Sequence, residues 1–173
     1  REALMDERVD SERVGFIASS IGATFLDYFL ASDETLPYKL NPYASIVSLA
    51  RLHAKIRPYI QRMITEKLDL DVSFPHDIER RITRIIPSRC LQTVLDIDVP
   101  RALSQRTAPY SINPLTILGL KDDRCDNEAT RERHRILGGR PKNLIELDYG
   151  HNIPQEAIQE RVLQFICEGL RIN

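Results

Sequence analysis

The chain has 173 residues, with 24 Lys and Arg against 25 Asp and Glu, a formal net charge of −1, and 42% apolar residues. That length and apolar content fit an ordinary globular domain with its own core and exclude a disordered chain. The near-neutral balance excludes long-range attraction to nucleic acid or an anionic membrane, and no apolar run approaches the roughly 20 residues needed to span a bilayer.

Residues 1–8 read as the tail of a helix, and Val9 to Arg13 as a polar turn. Val14 to Ala18, with β-branched and aromatic side chains, predicts a short strand. It runs straight into Ser19-Ser20, after which Ile21 to Ala31 predicts a helix. Ile21, Phe25 and Phe29 share one row of that helix and Gly22, Leu26 and Leu30 the next, so its apolar surface is broad enough to be largely buried. A second strand is expected within Tyr43 to Leu49, on the β-branched signal of Ile46 and Val47.

From Arg51 to Ile112 the pattern turns charged and amphipathic. Ile56, Ile60, Met63 or Ile64, and Leu68 recur at helical spacing, as do Ile78, Ile82 and Ile85. Pro58, Pro75, Pro87 and Pro100 cut the region into short helices and turns. Because it lies between two strands and differs from both flanks, it is expected to be an inserted helical cap, with an elaborate crossover connection as the equal alternative. The basic clusters Arg80-Arg81 with Arg84, and Arg131 to Arg135, are interrupted by Glu79, Ile82 and Glu132 and read as solvated helix faces.

Leu115 to Leu118 predicts a further strand, leading to a loop that holds Asp122 and Asp123. Asp126 or Asn127 can cap a helix from Glu128 to Leu137, and Gly138-Gly139 ends it. A strand from Asn143 to Leu147 leads to Gly150-His151. Pro154 suits the first turn of a last helix whose Ile158, Val162, Phe165 and Ile166 form one apolar face. Strands alternating with helices imply an α/β fold, a mostly parallel sheet flanked by helices. The chain then divides into 1–50, carrying the serine turn, the insertion 51–112, and 113–173, carrying the acid and histidine loops.

Cys90, Cys125 and Cys167 form no CxxC pair and no metal-ligand spacing, and with no secretory signal in view they read as free thiols in a reducing, cytoplasmic setting. Cys125 lies near the acid loop and reads as a bystander, while His53, His76 and His134 read as surface or packing residues.

A serine, a carboxylate and a histidine, each just beyond a strand, are the groups that nucleophilic acyl transfer needs. A neutral hydroxyl attacks a carbonyl only if a base takes its proton, and imidazole is suited to that task near neutrality. A carboxylate fixes the imidazole tautomer and stabilises the imidazolium. The backbone N–H of Ile21, at a helix start, can receive the developing oxyanion. A serine in such a turn is otherwise a helix N-cap, and the acid loop leaves Asp122 and Asp123 both open.

Ala18-Ser19-Ser20-Ile21-Gly22, Gly119-Leu120-Lys121-Asp122 and Gly150-His151 together resemble the α/β-hydrolase superfamily, over nearly the whole chain apart from its helical middle. The family's elbow is Gly-x-Ser-x-Gly, and alanine stands here at the first small position. The resemblance implies Ser20 as nucleophile, Asp122 rather than Asp123 as the acid, and His151 as the base. It implies a serine hydrolase that cleaves a carboxylic ester or thioester through an acyl-enzyme, with no cofactor and no metal. The elbow is also similar to that of the acyl-transferase/thioesterase family of bacterial bioluminescence, which has the same alanine. Acyl transfer on the same triad is one alternative, and a non-catalytic binding protein that keeps the fold is another. The family fold has eight strands, and this chain resembles strands five to eight. The upstream half, in the same or another chain, is therefore the expected partner, supplying a second oxyanion donor and covering the strand edge at Val14.

Overall fold

The computed structural model describes residues 7–10, 13–32, 42–73, 83–106, 110 and 112–171. In chain order the elements are β1 (Phe16–Ser20), α1 (Ile21–Ser32), β2 (Tyr43–Ser48), α2 (Arg57–Thr65), β3 (Leu70–Ser73), β4 (Thr83–Ile86), α3 (Ser88–Leu95) and α4 (Val99–Ser104). They continue with β5 (Leu115–Gly119), α5 (Asn127–Ile136), β6 (Leu144–Leu147) and α6 (Gln159–Leu170). The helix expected before residue 7 and the apolar positions Ile78 and Ile82 lie, like His76, outside the described residues.

Two compact units form, one from Arg1–Arg51 with Asp98–Asn173 and the other from Leu52–Ile97. In the first, four strands pair in the order β1-β2-β5-β6, every pair parallel. The α/β reading with a parallel sheet therefore holds. All five residues of β5 are buried, as a strand covered on both faces requires. On one face, Ile158, the N-cap of α6, and Val162 of that helix pack on Ala44, Leu115 and Ile117, with Phe165 and Ile166 against the same cluster. Burying such a side chain stabilises by about 1.5–3 kcal/mol. β1 begins two residues later than expected, where the Phe16 N–H donates to Pro42 O at 2.9 Å, and among the described residues it pairs with β2 alone.

The opposite face is polar at its centre. Asp27 of α1 accepts from Arg133 Nε of α5 at 2.6 Å and from the Tyr43 hydroxyl at 3.1 Å, and both side chains of the ion pair are fully buried. Arg133 also donates to Tyr43 Oη at 2.9 Å and to Thr116 Oγ1 at 3.3 Å. Burial pushes the Asp27 carboxyl up, against the pull of Arg133, and pushes the Tyr43 phenol up to about 12. His134 Nε2 donates to Arg140 O at 3.0 Å, so its Nδ1 accepts from Thr116, and burial lowers its pKa. The cluster Arg131 to Arg135 is thus not wholly a solvated face. Arg133 turns inward because Asp27 supplies the countercharge that makes its burial tolerable.

Truncating one member of such a pair leaves the other charge buried and alone. Arg133→Met should lower unfolding stability by about 3–5 kcal/mol, and adding Asp27→Leu should recover much of that loss. Denaturant titration of the single and double variants checks both statements. A double variant no more stable than the single one would show that shape, not charge, sets the cost.

The second unit is not purely helical. Besides α2 and α3, which pack on each other, it holds an antiparallel pair in which Leu70 lies opposite Ile86 and Ser73 opposite Thr83. The region expected as 51–112 contributes Leu52–Ile97 to this unit, whereas α4 packs on α1 and α5 in the first.

Candidate active site

Ser20 closes β1 and Ile21 opens α1, so no residue separates strand from helix. The turn this requires puts Ser20 at φ 51°, a left-handed conformation that costs an L-residue about 1–2 kcal/mol. Across the pair, Ser19 lies opposite Ile46 but Ser20 lies opposite Ser48, so β2 carries one extra residue at that point. That residue, Val47, is buried and has φ 56°, an outlier for a β-branched side chain. Bulges of this kind re-aim neighbouring side chains, and this one sits beside Ser20.

The hydroxyl so placed does not act as a plain helix cap. Ser20 Oγ lies 2.8 Å from His151 Nε2, and His151 Nδ1 lies 2.9 Å from Asp122 Oδ2. The Asp122 side chain is fully buried and that of His151 is 12% exposed. Asp122 Oδ1 accepts from the backbone N–H groups of Arg124 at 2.8 Å and Cys125 at 3.1 Å. Burial alone would raise the Asp122 carboxyl. The bonds from His151 and the two N–H groups outweigh it and hold the group below the usual carboxylate range. An ionised Asp122 facing Nδ1 keeps the ring proton there, which leaves Nε2 as an acceptor toward Ser20.

The acid and histidine loops are held together by backbone. Leu120 N–H donates to Leu147 O at 2.8 Å and Lys121 N–H to Tyr149 O at 2.9 Å. Gly119 makes this possible, because a Cβ there would collide with the carbonyl groups of Tyr149 and Gly150. Asn127 Nδ2 donates to Gly119 O at 3.0 Å, and Asp126 caps α5 by accepting from Ala129 N–H at 3.0 Å. Asp123, the alternative acid, is exposed.

The four residues expected at the site are therefore placed as follows. Ser20, His151 and Asp122 form one hydrogen-bonded line, and Ile21 supplies the first N–H of α1, a group without an intrahelical acceptor. Ile21 and Phe25, one turn apart, are 46% and 66% exposed. Cys125, read as a bystander, is buried with its Sγ 3.6 Å from His151 Nδ1. Its spacing of three from Asp122, across the turn that supplies that acid's N–H donors, was the available signal. A surface depression lined by Arg57, Pro58, Gln61, Gln92, Leu95 and Asp96 belongs to the second unit and includes none of these residues.

No family model matches the chain, and no curated protein matches it in sequence. Among solved structures it is similar to the monoacylglycerol lipase of Paleococcus ferrophilus, at 16% identity and a TM-score of 0.61 over 91% of this chain and 69% of that one. It is similar to a structure of the metagenome-derived lipolytic enzymes LipS and LipT, at 16% identity and a TM-score of 0.60 over 89% of this chain and 64% of that one. DcsB, solved in complex with a substrate analogue, gives 13% identity and a TM-score of 0.62 over 98% of this chain and 68% of DcsB. At such identities the likeness is one of backbone fold.

Proposed function

With the α/β-hydrolase fold as its framework, we propose that this chain is a serine hydrolase cleaving a carboxylic ester or thioester through an acyl-enzyme. The observation that carries the proposal is the continuous line Ser20–His151–Asp122, with separations of 2.8 and 2.9 Å. Ser20 Oγ attacks the carbonyl carbon and its proton passes to His151 Nε2. The carbonyl π electrons move onto oxygen, where the Ile21 N–H donates to the oxyanion. Collapse of the tetrahedral intermediate expels the alcohol or thiol, which takes the proton from Nε2. Water then repeats the sequence on the acyl-enzyme and releases the acid. Asp122 holds the ring and stabilises the imidazolium throughout.

The exposed apolar side chains of Ile21 and Phe25 favour an apolar acyl group, and the names of the lipase and lipolytic neighbours point the same way. We propose that the second oxyanion donor and a strand on the side of β1 away from β2 come from the upstream half of the hydrolase fold, in the same or another chain. No helix among the described residues is long and apolar enough to cross a membrane.

A fluorophosphonate probe should label the protein at Ser20 alone, as read by peptide mapping, and Ser20→Ala should abolish the label. Failure of the folded protein to label would overturn the nucleophile. Gly119→Ala should act at a distance from the reacting atoms, by prising the acid loop from the histidine loop. A misplacement near 1 Å costs about 100-fold in rate, so kcat for a short aryl ester should fall by about that factor. An unchanged kcat would show that the loop junction does not set the geometry.

A further inference from the structure

The hydrolytic reading leaves one buried group at the site without a role, the thiol of Cys125. It is a free cysteine, and its sulfur lies on the same ring nitrogen of His151 that faces Asp122. Asp122, Cys125 and His151 each offer one ligand atom, and the three atoms lie within 4.8 Å of one another. No other group of three such side chains occurs among the described residues. We propose that these three side chains form a binding site for a tetrahedral, thiophilic divalent cation, Zn2+ in the first instance, whose occupation switches the hydrolase off. The proposal rests on the hydrolase reading for its consequence, not for the binding itself.

The spacing of the thiol and the imidazole fits the ion. Zinc bonds to thiolate at about 2.3 Å and to imidazole at about 2.0–2.1 Å. A cation making both bonds across the observed 3.6 Å from Sγ to Nδ1 would subtend about 110°, the tetrahedral angle. Asp122 Oδ2, 2.9 Å from Nδ1, would subtend only about 90° with it at the ion, so it ligates after drawing back from the ring, while Oδ1 keeps its bonds from the N–H groups of Arg124 and Cys125. Such outer bonds are what orient a ligating carboxylate. A carboxylate and a thiolate also neutralise the double charge.

Occupation removes the base. A cation on Nδ1 requires the ring proton to sit on Nε2, which then donates to Ser20 Oγ at the 2.8 Å contact instead of accepting from it. That is the usual arrangement of a metal-bound histidine, whose second nitrogen donates outward. The balance is simple. Cys125 releases its Sγ proton to solvent, and the His151 proton moves from Nδ1 to Nε2 by exchange with solvent. No electron is transferred. A chelator reverses the process by removing the cation, after which solvent returns one proton to Sγ and the ring proton of His151 goes back to Nδ1. The buried thiol and carboxylate make entry dependent on displacement of the His151 side chain, so inhibition should develop slowly.

The test uses metal binding and turnover as separate readouts on the full chain. Co2+ added to the metal-free protein should give a near-ultraviolet thiolate-to-cobalt charge-transfer band that saturates at one equivalent and is lost on adding Zn2+. Cys125→Ser should abolish the band and weaken Zn2+ binding by more than the roughly 10- to 100-fold that loss of an outer-shell partner costs, with Cys125→Ala as a second variant if a buried hydroxyl disturbs the fold. Ser20→Ala should keep the band. Zn2+ should progressively extinguish ester hydrolysis by the unmodified protein, and a chelator should restore it. Absence of the band, or its persistence in folded Cys125→Ser, where Cys90 or Cys167 would be its source, overturns the site. A band that depends on Cys125 in a protein that hydrolyses nothing supports the site and overturns the hydrolase reading. Hydrolysis that proceeds unaltered while the band is present shows that the cation does not act on the triad and overturns the switch.

Discussion

Ser20→Ala should reduce turnover on the order of a million-fold while leaving the protein folded. Removal of the nucleophile from a serine hydrolase costs about that much, because the remaining groups cannot act without it. The fold should survive for a local reason. The hydroxyl makes its contact with His151, a partly exposed ring, and is not part of the Asp27–Arg133 network. Alanine keeps the Cβ and therefore the cost of φ 51°. Ser20→Gly removes that cost, since glycine enters the left-handed region freely. The glycine variant should be inactive and more stable than the alanine variant by about 1 kcal/mol. Ester hydrolysis with thermal melts of both variants reads the two effects apart. An alanine variant with substantial turnover would sink the nucleophile assignment. A glycine variant no more stable than alanine would mean that the elbow is not strained as φ indicates.

That strain also explains what was legible in the sequence. The order strand, serine, helix with no spacer could be read from Val14 to Ala31, and Gly119, the glycine that lets the acid and histidine loops meet, stood three residues before Asp122. These are local signals, carried by neighbours along the chain. Arg133 and Asp27, 106 positions apart, carry no local mark of their pairing. Each looks like a surface charge on an amphipathic helix until the sheet brings α1 and α5 over Tyr43 and Thr116. Val47 is similar, because a β-branched residue in an apolar strand announces pairing and not a bulge. The antiparallel pair β3–β4 was missed because its strands have four residues each, too few for alternation to stand out from the helical spacing around them.

Asp122→Asn separates the two adjacent acids and tests the electrostatics of the site. The amide oxygen can still accept from the N–H groups of Arg124 and Cys125, which leaves the amide nitrogen facing His151 Nδ1. A donor there forces the ring proton to Nε2, and the base toward Ser20 is lost. Turnover should fall about 10,000-fold, the cost of the same exchange in another serine triad. Asp123→Asn, at an exposed position, should leave turnover near that of the unmodified protein. The pH dependence follows from the depressed pKa of Asp122. A carboxyl whose folded pKa lies below its unfolded value near 3.9 contributes stability that is fully present above that value and is lost as pH falls through the folded one. Asp122→Asn should therefore be less stable than the unmodified protein at pH 7, and the gap should narrow only as pH drops below about 4. Thermal melts of both proteins from neutral to acid pH measure the gap. A constant gap across that range would show that the charge of Asp122 is not what stabilises the loop, and a damaging Asp123→Asn would move the acid to the next residue.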